Sequence, residues 1–152
     1  MLAAIRPTDW NWILLFHLLT AFLLVGGMLI VTITSIGTGR ARGEQVPMLR
    51  SIAFRTTLIL VIPMYVLIHV FGPMLADREY PHHTPNWLDT SFGLATIGLV
   101  LTLVLAALQY WGLRRVRTER TTGWPEWIVN WLPVLLLLSL VATIWLMSAK
   151  PT

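Results

Sequence analysis

"ILLFHLLTAFLLVGGMLIVTITSI", residues 13–36, runs for 24 positions without a single Asp, Glu, Lys or Arg. A helix needs roughly 20 apolar residues to cross the ~30 Å hydrocarbon layer, so this stretch is long enough to span it. It is too long for a signal peptide, has no basic leader and is followed by no A-x-A-like cleavage site. Three more blocks of the same kind follow, at about 58–76, 91–113 and 127–147. The expectation is a single domain over residues 1–152: an all-α integral membrane four-helix bundle with short loops.

Composition points the same way. Of 152 residues, 56% are hydrophobic and only 12% charged, far too apolar for a water-soluble domain of this length. There is no cysteine, which excludes disulfides, thiolate metal sites and a cysteine nucleophile. The formal charge of +4 does not indicate nucleic acid, because the basic residues lie beside apolar blocks. Their distribution sets an orientation instead. Arg40, Arg42, Arg50 and Arg55 fall between the first two spans, and Arg114, Arg115, Arg117 and Arg120 between the last two. Only Arg6, Arg78 and Lys150 fall on the other side. By the positive-inside rule both basic loops face the cytoplasm, and both termini face outward with the loop "ADREYPHHTPNW", residues 76–87.

Local signals support these limits. Pro47 suits the start of an interfacial turn, "PMLRSIAFRTT", ahead of the second span. Thr84 reads as a cap with Pro85 at the first position of the third helix; Gly123 ends that helix and Pro125 begins the fourth. Trp10, Trp12, Trp87 and Trp145 fall near the outer interface, and Trp111, Trp124 and Trp127 near the inner one, as aromatic belts. Gly26 and Gly27 offer close helix approach. Pro63 and Pro133 can kink helices in mid-membrane. Gln109 and Asn130 sit near the cytoplasmic ends and need no special role.

The informative residues are histidines. His17 is four residues after Ile13, and His69 is seven before Ala76. Consecutive spans are antiparallel, so at 1.5 Å per residue both rings lie roughly 6–10 Å below the outer edge of the hydrocarbon. An ionisable ring at that depth implies a partner. Thr20 and Ala21 share a face with His17, while Tyr65 and Gly72 flank His69. Thr96, Ser139 and Thr143 bring hydroxyls to similar depth. Three readings follow. In the first, His17 and His69 are axial ligands of one haem b, with Tyr65, Thr20 and Gly72 around it. Alternatively His17 or His69 joins His82, His83 and Met74 in a copper site at the outer face. In the third reading the rings only hydrogen-bond between helices, for about 1 kcal/mol. No phosphate loop, paired carboxylates or nucleophile with its base is visible, so a self-contained enzyme is not expected.

At "LLFHLLTAFLLVGGMLI", residues 14–30, the chain resembles small bacterial multi-pass proteins of the copper-resistance D type and related short families. The ending "WLMSAKP", residues 145–151, is similar to that of the short members. The resemblance implies a four-helix protein of a bacterial plasma membrane and a role for His17. The larger relatives are associated with copper uptake, but this chain lacks a methionine-rich or multi-histidine extension. With two intramembrane histidines it has ligands for one bis-histidine haem and not two. The leading expectation is therefore a redox protein with one haem b, exchanging electrons with a quinone or a redox protein at the outer face. An accessory subunit packed against other membrane subunits, or against itself, is the alternative, and copper handling is third.

Overall fold

The computed structural model describes residues 8–80, 85–117 and 126–149, and every regular element among them is helical. Helix α1 covers Thr8–Thr38, α2 Gln45–Thr56, α3 Ile62–Glu79, α4 Asn86–Arg117 and α5 Glu126–Ala149, with one π-helical turn, Thr57–Val61, joining α2 to α3. Four spans result, because α2, the π turn and α3 form one continuous rod, Gln45–Glu79. All four are long and apolar enough to cross a bilayer. The chain is an all-α, multi-pass membrane bundle.

The second span begins ahead of its apolar block: its helix starts at Gln45 and carries Pro47 within its first turn, where a missing N–H costs nothing. The widened turn has a local cause. Pro63 has no N–H, and in a regular α-helix its ring would press on the carbonyl four residues back. Immediately before it, the Ile62 N–H reaches back five residues to the Thr57 carbonyl. A π bulge thus absorbs the proline without breaking the rod. It also keeps Thr57, Val61 and Tyr65 buried on one side.

The spans are arranged in a ring. α1 packs along the second span and along α5, and α4 packs along the second span and α5, while the diagonal pairs do not approach. Gly27 makes the first contact close: a Cβ there would lie 3.0 Å from Leu60 and 3.1 Å from Val61. Gly26 faces open space, so only one of the two glycines serves packing. Between α1 and α5, the Thr32 hydroxyl donates to the Pro133 carbonyl at 3.2 Å. In mid-bundle Leu24, Met28, Val31, Val61, Tyr65, Leu105, Leu136 and Leu140 form one continuous apolar core. Water is not there to drive this packing from a bilayer, so van der Waals fit and interhelical hydrogen bonds carry it.

Trp12, Trp111, Trp127 and Trp145 are all well exposed, as belt residues should be. Trp87 departs from that expectation. It turns inward and meets Tyr80 edge-on, with ring centroids 6.1 Å apart. At the start of α4, the Pro85 carbonyl accepts from Leu88 N–H at 2.9 Å, which places Pro85 at the cap rather than inside the helix. Thr84, Gly123, Trp124 and Pro125 lie outside the described residues.

Candidate functional site

The sequence dictates which half of the bundle can hold a ligand. Below the level of Leu24, Tyr65 and Leu140 the interior is filled by the apolar core. Above it, toward the end where α1 begins and α5 finishes, small or short side chains face inward: Ala21, Gly72, Ala76 and Ala95. They leave a cavity of about 340 Å³, within the range of small-molecule and cofactor pockets. All four spans line it. His17, His69, Tyr65 and Thr143 are among its lining residues, as are Glu79, Tyr80 and Trp87 near the helix ends. Because the core closes the other side, this is a blind pocket and not a channel.

On one side the cavity reaches the seam between α1 and α5. Deeper in the bundle these two helices meet at Thr32 and Pro133. The same stripe continues along α1 as Val25, Ala21, Leu18 and Leu14, and along α5 as Leu140, Ile144 and Met147, following the i, i+7, i+11, i+14 spacing of one helix face. Those residues border the cavity. Leu18 and Ile144 are also 46% and 44% exposed, so the seam opens sideways at this level.

The two histidines do share one site. Phe16 stacks on Phe71 with centroids 5.7 Å apart, which sets α1 and α3 in register beside them. A Cβ at Gly72 would lie 3.8 Å from His17 Cε1, so His17 sits level with Gly72, about one turn from His69. The same Cβ would lie 3.1 Å from Phe92 Cε1. A side chain at position 72 would thus press on Phe92 while only touching the histidine.

Proton counting separates the rings. His69 Nδ1 lies 2.8 Å from the Tyr65 carbonyl, which can only accept, so Nδ1 carries the proton. In the neutral ring Nε2 then presents a lone pair, the arrangement found in metal-binding histidines. Its neighbour is Thr96 Oγ1 at 3.3 Å, but Thr96 directs its own proton to the Phe92 carbonyl at 2.9 Å. His17 Nδ1 is buried without a hydrogen-bond partner. His17 therefore keeps one nitrogen whose hydrogen-bonding capacity the protein does not use, while His69 Nε2 has only the long contact to Thr96.

The hydroxyls expected to form a shared polar layer mostly serve their own helices. Thr96 donates to Phe92 O and Thr143 donates to Ser139 O, each four residues back. This satisfies a hydroxyl inside a bilayer without a neighbouring helix. Tyr65 is fully buried and hydrogen-bonds to Thr102. Since Thr102 donates to the Gly98 carbonyl, Tyr65 is the donor to Thr102, and its hydroxyl points away from the histidines. Its backbone carbonyl, not its phenol, is what holds His69.

Thr20 is buried but does not border the cavity, and Met74 faces outward from the bundle. His82 and His83 lie outside the described residues. Among the described residues no group of three His, Cys, Asp or Glu side chains is placed to hold a metal ion. Trp87, Phe92 and Met147 were not anticipated as lining residues; Trp87 reads in sequence as an interfacial anchor, and nothing in its spacing separates the two roles. Comparison with protein-family models, curated proteins and solved structures gives no match.

Proposed function

We propose that this is a redox protein of a bacterial plasma membrane, with both termini on the outer side, that holds one haem b in the cavity between its spans. His17 and His69 would hold its iron. The observation that carries this reading is the pair of imidazoles, from α1 and α3, that line one cavity, His17 with an unpartnered Nδ1 and His69 held by Tyr65 O in the tautomer that leaves Nε2 its lone pair. The apolar walls suit a macrocycle. Bound there, haem supplies one-electron transfer between ferric and ferrous iron. The orientation rests on the arginines, eight of which fall in the two loops assigned to the cytoplasm. The outward face then presents the cavity to a quinone in the membrane or to a redox protein outside it.

Copper is less well served, since Met74 points away from the two rings. The test is to purify the wild type, His17→Ala and His69→Ala from haem-supplied cells and record optical spectra. The wild type is expected to show a Soret band with sharp reduced α and β bands, and each variant to lose them. A variant lacking either histidine that keeps the six-coordinate spectrum contradicts the ligand assignment. A colourless wild type returns both rings to interhelical hydrogen bonding in an accessory subunit.

A further inference from the structure

The opposite end of the bundle carries a second set of unused polar atoms, unrelated to the histidine cavity. Gln109 is only 4% exposed and Ser35 only 3%. Both amide atoms of Gln109, Nε2 and Oε1, are buried without a partner, as is Ser35 Oγ. Inside a bilayer protein such atoms are rare because their desolvation is not repaid. Ser35 also breaks the local habit of this chain. Thr34, Thr38, Thr57 and Thr102 each donate to a carbonyl four residues back, and Ser35 does not.

Ser35 and Gln109 border the same small cavity of about 10 Å³, with Thr38, Arg50, Ala53, Gly112, Val129 and Asn130 around it. All four spans contribute. Arg50 closes one side, with Nη1 donating to the Gly112 carbonyl at 3.2 Å and Nη2 to Glu126 at 2.9 Å.

We infer that this cavity is a binding site for one water molecule, which bridges Gln109 on α4 to Ser35 on α1. Two arguments select the ligand. The cavity matches about one water-sized probe sphere, which leaves no room for a larger molecule. Gln109 also presents a donor and an acceptor together. An anion satisfies only the N–H groups, and a cation satisfies only the carbonyl oxygen while facing the Arg50 guanidinium. Water satisfies both. The diagonal helices α1 and α4 do not pack directly, so the bridge is their link at this end.

The test uses thermal unfolding of the full-length protein in bilayer nanodiscs, with Ser35→Ala, Gln109→Met and the double variant. With a bridging water, each single change strands a polar partner and lowers Tm, and the double variant is no worse than the worse single one. A Tm increase in either single variant overturns the inference, because removing an unsatisfied group relieves a dry site. Infrared spectra in H₂¹⁶O and H₂¹⁸O give a second readout independent of stability. A narrow O–H stretch that shifts with the isotope and is absent from Gln109→Met is expected; an isotope-insensitive or unchanged spectrum contradicts it. A Tm that depends on chloride against gluconate at equal ionic strength assigns the site to an anion and also overturns the proposal.

Discussion

At His69 a single proton decides what the ring can offer. The Tyr65 carbonyl claims Nδ1–H, so the neutral ring has one lone pair left, on Nε2. That much was partly legible: depth counting on "LLFH" and "VLIHV" put His17 and His69 at one level because rise per residue is fixed. The hydroxyl layer was not legible, because a threonine in a membrane helix can serve its own carbonyl or a neighbour's, and sequence does not distinguish them. Tyr65 shows the same limit. Its phenol reaches α4 because Gly98 has no side chain; a Cβ there would lie 2.7 Å from the Tyr65 oxygen. Gly98→Ala is therefore expected to push the ring off Thr102 and cost about 1–3 kcal/mol. Reversible unfolding in mixed micelles checks it, and an unchanged stability would mean that the ring shifts freely.

Elements explain where the pocket lies. α1 and α5 meet at Thr32 and Pro133 and part where the same stripes reach Leu18 and Ile144. Sequence reading located the four spans but not this seam, since each helix is apolar nearly all round and a lipid-facing leucine looks like a pocket-lining one. The second span makes a related point. Pro63 signals a distortion, yet only the backbone tells whether it is a kink or the π turn seen at Thr57–Val61. Filling the seam should separate binding from folding. Leu18→Trp and Ile144→Trp change partly exposed positions, so thermal stability should stay within about 0.5 kcal/mol of wild type. Haem content per protein, measured after extraction, should fall severalfold. Normal content in both variants would place the bound group away from α1 and α5.

Seen whole, the molecule is tied at its arginine-rich end and hollow at the other. Arginines along the chain set the expected topology, because charge in loops acts through number and position. They did not reveal Arg50 as a tie, which depends on Gly112 leaving room and on α5 beginning at Glu126. The two ends of that tie are unequal: the Arg50 side chain is 14% exposed and that of Glu126 66%. Glu126→Gln should cost well under 1 kcal/mol, as an exposed ion pair does. Arg50→Ala removes the bonds to both the Gly112 carbonyl and Glu126 and should cost about 1–3 kcal/mol. Equal losses in the two variants would locate the stabilisation in the ion pair itself.

The most direct measurement is haem content of the purified wild-type protein: a pyridine haemochrome assay with oxidised and dithionite-reduced spectra from the same sample. One haem b per chain with a six-coordinate low-spin spectrum is the expected result. A colourless protein from haem-replete cells, still folded by thermal unfolding, would contradict the assignment of His17 and His69 as haem ligands.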